Sequence, residues 1–506
     1  MRKISSGLYK VICAIIAIGF LKLLLDILGR DFVPRTVAES IFRIVQWMIG
    51  IVLAVFAYRI IKKTEYIWQK YGNIVLVVFV VFLFVAQLLL GNELRVNPLY
   101  DYSSLFHGAT DWVVTGTFER FYDYYYYYPN NIAPMTLLMF AFQIAAKAGI
   151  YDFYLIGMII NCILLAGMVI ATYMVCKKMF GAAEAVFALV LYGVYPPMYL
   201  TASVFYTDQL TMVFPVLIYL LYLYLSESKG RGRSLILSLC LAVVTLVGYI
   251  LKPTVFIMLI AVCIALLLSA QWKKMLAVIF AFFLVYTGFH YAFDNYIYGN
   301  HLNQDLAEEM NTPIETWVMM GLNENPGFSP DDTAFSRSIK DPEERKEKIR
   351  AEIADRISEK GVVGMAQHLK NKGILAFSDG SFELSYTFLF GFQKETELED
   401  TVTLLGDHYD SYWDCCSNIW YVYLMFGVFY MASTAICAIR GRGTDYRWLP
   451  VPLAAFGLLC FLLLWEVHAR YTVNYFSCFV MMTVCGVVLL SKKLGKKEHI
   501  SNQEGQ

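Results

Sequence analysis

Charged residues are scarce in this sequence, and neither sign is in excess. Asp, Glu, Lys and Arg make up 16% of the 506 residues, and 41 basic side chains balance 41 acidic ones. A surface that attracts a polyanion needs an excess of Lys and Arg, so no nucleic-acid partner is expected. Hydrophobic residues reach 58%, whereas soluble domains rarely exceed about 50%. These totals exclude a cytosolic enzyme and indicate an integral membrane protein.

No cysteine or histidine pattern predicts disulfides or a metal site. Most of the 11 cysteines lie inside apolar blocks, and the adjacent residues Cys415 and Cys416 cannot easily bridge each other. His107 and His468 are isolated from other candidate ligands, and a metal site needs several that converge. We therefore expect no metal and no other cofactor.

Long apolar blocks dominate the sequence instead. A helix needs about 20 apolar residues to cross about 30 Å of hydrocarbon. Thirteen blocks approach that length, at about 8–28, 41–61, 74–91, 132–149, 153–176, 183–200, 203–225, 234–251, 254–269, 274–296, 418–439, 448–465 and 472–490. The first block lacks a small-residue cleavage site, so we interpret it as a retained span and not as a removed signal peptide. The expected fold class is an all-α polytopic membrane protein.

Clusters of Lys and Arg at the block ends predict the orientation of the spans, because positively charged loops stay cytoplasmic. With alternating crossings, all of these clusters lie inside only if one block does not cross. We remove 132–149, which contains Lys147 and begins soon after Pro129. About 12 transmembrane helices then remain, plus a juxtamembrane or re-entrant helix. A true thirteenth span with a weaker charge bias is the alternative.

This topology divides the chain into six parts. They are N-terminal spans (1–91), a first outer loop with juxtamembrane helices that is expected to be catalytic (92–150), a central transmembrane bundle (151–297), an extracytoplasmic loop domain (298–417), C-terminal spans (418–491) and a cytoplasmic tail (492–506). The loop domain holds more than half of the 41 acidic residues. Its clearest helix follows Asp341 as N-cap, with Pro342 at the first position. We expect this domain to be a solvated lid that packs on the membrane domain.

Ionisable residues at the predicted span ends gather on the outer face. They are the acids Asp101, Asp208 and Glu466 and the bases Lys252, His468 and Arg470. Such groups near membrane depth are costly and tend to be functional or paired. Acids and bases on one rim suit a particular task, in which Lys and Arg hold a lipid-linked phosphate while a carboxylate takes a proton from an incoming hydroxyl. A guanidinium grips phosphate oxygens in a bidentate way, and an ammonium adds a point charge.

Each of these residues also has a purely structural interpretation. Asp101 is a favoured type of residue for capping the helix that starts after it, and Asp208 could simply be solvated at the interface. Lys252 could be a snorkelling lysine. Glu466 and Arg470, four residues apart, could form an ordinary salt bridge.

Short motifs around these residues resemble the multi-spanning GT-C glycosyltransferases. In chain order they are Asn97-Pro98-Leu99-Tyr100-Asp101, Tyr128-Pro129-Asn130-Asn131, Tyr195-Pro196-Pro197, Tyr206-Thr207-Asp208, Leu251-Lys252-Pro253 and Trp465-Glu466-Val467-His468-Ala469-Arg470-Tyr471. They look most like the branch of protein O-mannosyltransferases and aminoarabinose transferases, particularly its Gram-positive bacterial members. Those members also carry an outer-loop stretch similar to Thr316-Trp317-Val318-Met319-Met320-Gly321-Leu322-Asn323.

The resemblance runs from about residue 90 to 490. It implies a GT-C-like fold, a polyprenyl-phosphate sugar as donor, an active site on the outer face and inversion at the anomeric carbon. By match, Asp101 is the catalytic base and Asp208 a second acid near the acceptor, while Lys252 and Arg470 contact the donor phosphate. The supporting residues are Glu466, His468, Tyr206 and Asn130. Many relatives carry an adjacent Asp-Glu pair in the first loop, whereas here Tyr102 follows Asp101. Asp111 is an alternative for that second acid, at a different spacing.

The predicted function is an inverting glycosyltransferase in cell-envelope glycan, glycolipid or protein glycosylation. It would move a hexose or pentose from a polyprenyl phosphate to a hydroxyl of a glycan, lipid or protein, at the outer face of a bacterial cell membrane. A metal-dependent, oligosaccharide-transferring relative would need a fuller acidic cluster than this rim offers. From a different class, the alternative is a transporter or flippase for a lipid-linked glycan. Transporters place polar residues at the midplane and often show inverted repeats, and no repeat is visible here.

Overall fold

The chain folds into 22 α-helices, with no β-strand, in the computed structural model, which describes residues 2–33, 35–384 and 396–504. The first eleven are α1 (Arg2–Phe32), α2 (Val37–Lys63), α3 (Glu65–Glu93), α4 (Tyr100–Thr115), α5 (Tyr122–Tyr127), α6 (Ile132–Lys147), α7 (Phe153–Met179), α8 (Ala182–Gly193), α9 (Pro197–Leu200), α10 (Thr207–Leu210) and α11 (Val213–Glu227). The others are α12 (Arg231–Leu251), α13 (Phe256–Leu268), α14 (Trp272–Asn300), α15 (Gln304–Met310), α16 (Glu315–Met320), α17 (Pro330–Ser338), α18 (Pro342–Phe377), α19 (Glu397–Val402), α20 (Tyr409–Ile439), α21 (Pro450–Leu464) and α22 (Phe476–Glu504).

Nine helices in the described ranges are long and apolar enough to cross a membrane. They are Ile4–Phe32, Val37–Lys63, Glu65–Glu93, Phe153–Met179, Thr207–Glu227, Arg231–Leu251, Trp272–Asn300, Tyr409–Ile439 and Ala469–Leu494. A further pair, Ala182–Gly193 with Pro197–Ser203, passes the same length and composition criteria together but is bent by 73°. Proline disfavours helix in the residue before it, and Pro196 and Pro197 lie at this bend. The predicted all-α polytopic membrane fold is therefore confirmed.

Two shorter apolar helices, Pro253–Leu268 and Pro450–Leu464, coincide with two further predicted blocks. The block that we removed from the spans forms α6, which packs against α4. It is not among the apolar helices that could cross. The number of crossings and their orientation stay predictions.

The segment that is predicted to lie outside is described over 301–384 and 396–408, and we call it the outer segment. Its helices contact the membrane helices at several places. Its longest helix, α18, is capped as predicted, because the Asp341 side chain accepts a 2.7 Å hydrogen bond from the backbone N–H of Glu344. The helix kinks at Gly361, where φ is 57°. Its last turns pack against α1 and α21, and Trp420 Nε1 donates to the carbonyl oxygen of Phe377 over 2.7 Å.

The structure shifts several predicted boundaries. The helix α14 continues past 297, and α20 begins at Tyr409, before 418, because polar residues at the ends of a span extend the helix beyond its apolar part. The predicted cytoplasmic tail continues α22 to Glu504. Residues 385–395 of the predicted loop domain and 505–506 of the tail lie outside the described residues.

Candidate functional site

Asp208 lies at the centre of a charged cluster that is built from three distant parts of the chain. Its side chain is fully buried, with 0% of its surface exposed. Its Oδ1 accepts a hydrogen bond from Nζ of Lys252, and its Oδ2 lies 3.7 Å from Nε of Arg470. One buried acid therefore holds two cations, which leaves one positive charge in excess. Such a charge group is stable in a buried place only when its members remain paired.

Each member of this cluster lies where a helix is interrupted. Asp208 is in the four-residue helix α10, just before α11. Lys252 is extended, with φ −154° and ψ 116°, because Pro253 disfavours a helical conformation in the residue before it. Arg470 lies in the 3₁₀ segment Ala469–Tyr475, between α21 and α22. Breaks of this kind are tolerated at membrane depth only where they are buried in protein or line a cavity.

The guanidinium of Arg470 has donors that the protein does not use. Its Nε and Oδ2 of Asp208 are both buried without a hydrogen-bond partner among the described residues. The ring of Tyr471 supports both cations, with its centroid 4.4 Å from Nζ of Lys252 and 5.4 Å from Cζ of Arg470. A cation–π contact orients a guanidinium without using its N–H groups. These groups are therefore available to an anionic ligand.

Asp101 lies in the first turn of α4, and tyrosines hold both of its carboxylate oxygens. Tyr124 donates to Oδ1 over 2.8 Å, and Tyr206 donates to Oδ2 over 3.3 Å. The phenol oxygen of Tyr124 in turn accepts a 2.5 Å hydrogen bond from Nδ2 of Asn131. Burial, followed by the charge of Asp101, raises the pKa of Tyr124 well above its usual value. The tyrosines thus remain proton donors and fix the direction of the carboxylate.

The start of this helix excludes the capping interpretation of Asp101. The helix α4 begins at Tyr100, and its N-cap is Leu99, which makes no side-chain capping hydrogen bond. Tyr100 adopts φ of 51°, in the left-handed region that a bulky residue seldom occupies. Strained backbone of this kind clusters at functional sites.

Two of the residues predicted to support the site, Asn130 and Glu466, do not contact Asp101, Lys252 or Arg470 through a hydrogen bond or ion pair among the described residues. Asn130 is exposed and donates a 3.2 Å hydrogen bond to Oδ1 of Asn131, which is the residue that contacts the site. Glu466 is buried and accepts a 2.6 Å hydrogen bond from Tyr471. In the part of the chain that the structure describes, no ion pair joins Glu466 to Arg470, so the salt bridge between them is not formed.

His468 lies beside a carboxylate that sequence reasoning did not identify. Glu383 accepts a 3.1 Å hydrogen bond from Nδ1 of His468 and a 3.0 Å hydrogen bond from the backbone N–H of Ala469. Burial alone would raise the pKa of Glu383, but the hydrogen bond and charge of His468, with the charge of Arg470, lower it below the usual value. The two partners are 85 residues apart, and no motif links them.

A buried lysine joins the outer segment to the loop 465–471. Nζ of Lys372 donates to the carbonyl oxygens of Gly321 over 2.8 Å and of Trp465 over 2.6 Å. Position 321 has no room for a side chain, because a Cβ there would lie 2.6 Å from the Trp465 oxygen. The ring of Trp317 stacks on Trp465, with centroids 5.7 Å apart and planes at 11°. The outer-loop motif therefore packs directly against the loop that bears the guanidinium.

No group of three or more metal-binding side chains occurs within 2–33, 35–384 and 396–504. Asp332, of the pair Asp331-Asp332 that resembles half of a nucleotide-sugar metal motif, is engaged by other side chains. Arg356 donates to its two oxygens over 2.7 and 3.0 Å, and Asn323 donates over 2.8 Å. This carboxylate therefore holds the outer segment together.

Comparison with known proteins identifies a family without identifying a reaction. A family profile described as conserved hypothetical integral membrane protein matches residues 5–488. No curated protein matches the chain. The matched range includes both the charged cluster and the Asp101 site.

Proposed function

We propose, from the premise that the chain belongs to the family of conserved hypothetical integral membrane proteins, that it is an inverting glycosyltransferase. It moves a sugar from a polyprenyl phosphate to an acceptor hydroxyl on the extracytoplasmic face of the membrane. The observation that carries this proposal is the pairing of two cations with one buried carboxylate, near a second carboxylate that tyrosines orient. The first arrangement suits a phosphate, and the second suits a proton acceptor.

Lys252 and Arg470 bind the donor phosphate in this proposal. Their shared counterion, Asp208, leaves one positive charge, which matches the single negative charge of a phosphodiester between a sugar and a polyprenol. Arg470 supplies directional hydrogen bonds, and Lys252 supplies a point charge. Asp208 is too deeply buried to meet an acceptor, so we assign it to positioning the cations instead of the acceptor-side role that its motif implies. Cations held in advance stabilise charge that develops on the leaving phosphate.

Asp101 is the general base. As the acceptor oxygen attacks the anomeric carbon, its proton passes to the Asp101 carboxylate. The bond between the anomeric carbon and the phosphate oxygen breaks, and its electron pair leaves with the polyprenyl phosphate as a dianion. Attack from the face opposite the phosphate inverts the configuration. Tyr124 and Tyr206 aim the carboxylate at the incoming hydroxyl, which is the positioning that such catalysis requires.

An apolar groove is the place that we assign to the polyprenyl chain. Side chains of α13 and α14 line this groove, which has a volume of about 310 Å³. Phe256, which lines the groove, begins α13 and follows Lys252 by one short 3₁₀ turn. A donor whose phosphate lies at Lys252 can therefore extend its chain along α13, in van der Waals contact with apolar side chains.

The positions of the charges favour this proposal over a transporter or flippase. Transporters bind their substrates near the middle of the membrane, where charged residues are functional. Asp101 lies in the first turn of α4, outside the long apolar helices of the described chain, and Lys252 lies between two of its apolar helices. These positions, at the ends of apolar helices and not in their middle, support the proposal over a transporter.

The test is turnover by the purified protein with a panel of polyprenyl-phosphate sugars, in wild type and in Asp101→Asn. We expect the variant to lose transfer by about 100-fold or more while it keeps donor affinity, because it removes the base and leaves the cations in place. Asp123→Asn, at an exposed position in the neighbouring helix α5, is the matched control and should retain both properties. Equal transfer by wild type and Asp101→Asn would contradict the role of the base, and the absence of turnover with every donor would contradict the function.

A further inference from the structure

The pair of Glu383 and His468 has no part in the reaction as described so far, yet it has the geometry of an oriented acid–base dyad. Nδ1 of His468 lies 3.1 Å from Oε2 of Glu383. Because Nδ1 points to the carboxylate, the other ring nitrogen, Nε2, is the atom that remains for a further partner. A carboxylate in this position fixes the orientation of the ring and stabilises the imidazolium form.

The backbone around Glu383 adopts an uncommon conformation that hydrogen bonds to a neighbouring carboxylate stabilise. Phe382 and Glu383 have φ of 56° and 53°, so two successive residues with side chains occupy the left-handed region. The Asp379 carboxylate stabilises this turn by accepting hydrogen bonds from the backbone N–H groups of Ser381 and Glu383, each over 2.8 Å. Strain of this kind persists only where the surroundings enforce it, and it clusters at functional sites.

The Cε1–Nε2 edge of the His468 ring lies next to Gly327. A Cβ added at Gly327 would lie 3.4 Å from both Cε1 and Nε2 of the ring. A side chain at position 327 would therefore be in van der Waals contact with this edge, and glycine leaves the edge without that cover. The side chain of His468 is 23% exposed, which is enough for a ligand to reach it.

The dyad and the guanidinium of Arg470 belong to the same short segment of the chain. His468 comes two residues before Arg470, at the start of the same 3₁₀ segment. Glu383 also accepts a 3.0 Å hydrogen bond from the backbone N–H of Ala469, the residue that directly precedes Arg470. Asp101, by contrast, is bound by residues of other parts of the chain.

We propose that His468, oriented by Glu383, is a third donor to the phosphate of the lipid-linked sugar, beside Lys252 and Arg470. This inference rests on the proposed function and extends its donor site. The protonated ring donates Nε2–H to a non-bridging phosphate oxygen. When the bond to the anomeric carbon breaks, the phosphate gains negative charge, and this hydrogen bond strengthens. The proton stays on His468, and Asp101 still receives the proton of the acceptor.

The test measures two properties of the full-length protein in detergent, the affinity for polyprenyl phosphate without a sugar and the rate of sugar transfer. His468→Gln removes the charge and keeps a polar side chain, and Glu383→Gln keeps an acceptor for the backbone N–H of Ala469. We expect His468→Gln to lower both properties by about 10- to 100-fold, the range for a hydrogen bond to a charged group. Glu383→Gln should lower them less, and the double variant should be no worse than His468→Gln, because the carboxylate acts through the ring.

His408→Gln is the matched control, since this exposed histidine of the outer segment lies 3.9 Å from Asp400, and it should change neither property. If wild type binds polyprenyl phosphate and His468→Gln binds it equally well, the dyad inference is wrong while the proposed function stands. If wild type itself binds no polyprenyl phosphate, both fail. Additive losses in the double variant, together with a lower melting temperature, would indicate a purely structural role for His468 and would also overturn the inference.

Discussion

Replacing Lys372 with Met should change the way in which the stability of the protein depends on pH. Nζ of Lys372 is enclosed by protein, and its hydrogen-bond partners are two backbone carbonyls, not carboxylates. Burial lowers the pKa of this lysine from 10.5 to about 8, and the charge of Glu466 opposes the shift in part. The site therefore favours the neutral amine, which still has enough N–H groups to reach both carbonyls.

The sign of the effect follows from the two pKa values. Between pH 8 and 10.5 the folded protein has released the Lys372 proton, whereas the unfolded chain still holds it. The unfolded state then binds more protons, so the free energy of unfolding rises with pH across this window. The difference of about 2.5 pKa units corresponds to about 3 kcal/mol. Below pH 8 the folded protein holds the buried ammonium, which lowers the free energy of unfolding by about 3 kcal/mol. Raising the pH removes this penalty, because the folded protein then releases the proton.

The measurement is the free energy of unfolding of wild type and of Lys372→Met, from denaturant titrations in detergent between pH 7 and 10. Titrating groups common to both proteins cancel in the difference, and the lost hydrogen bonds add an offset that does not depend on pH. From pH 7 to pH 10, we expect the free energy of unfolding of wild type to rise by about 2 kcal/mol relative to that of Lys372→Met. Lys370→Met, on the same helix and paired with Asp26, should show no such movement. A constant difference for Lys372→Met would refute the reasoning, because the ammonium would then be no harder to bury than the amine.

Two further substitutions test how the outer segment is held. Gly321→Ala should displace the loop 465–471, since its Cβ would lie 2.6 Å from the Trp465 oxygen. We expect the free energy of unfolding to fall by about 1–3 kcal/mol and polyprenyl phosphate to bind more weakly. Gly364→Ala is the control and should change neither property, because the nearest contact of its Cβ would be at 3.5 Å. Arg345→Met should lower the free energy of unfolding by about 3 kcal/mol or more, because its buried guanidinium donates to four backbone carbonyls. The exposed Lys348→Met should cost less than about 1 kcal/mol, and equal melting temperatures for the two variants would contradict this account.

The helical membrane fold could be predicted from the sequence because its cause is local. An apolar run of sufficient length can satisfy its backbone in lipid only as a helix, so composition and length predict most of the elements. Helix starts were predictable where the side chain bonds its own turn, as at Asp341. The structural alternative in which Asp101 caps its helix does not hold, because the helix begins at Tyr100, and two tyrosines from other parts of the chain bind the carboxylate.

The residue types of the candidate site were also visible in the sequence, because ionisable groups at span ends are rare and costly. Asp101, Asp208, Lys252 and Arg470 could be named on that ground, and the structure brings Asp208, Lys252 and Arg470 together. Glu383 could not be named. It lies in a segment rich in acidic residues, and its sequence neighbourhood contains nothing that distinguishes a partner of His468 from a solvated acid.

The sequence by itself therefore determined the all-helical membrane fold and the kinds of chemical group near the helix ends, since each depends on residues close together in the chain. Only the tertiary structure decided which groups pair. Asp208 is 44 residues from Lys252, and Glu383 is 85 from His468, and contacts over such separations depend on how the helices pack. Packing also decided burial, which encloses Asp208 completely with two cations beside it and places the edge of the His468 ring next to Gly327.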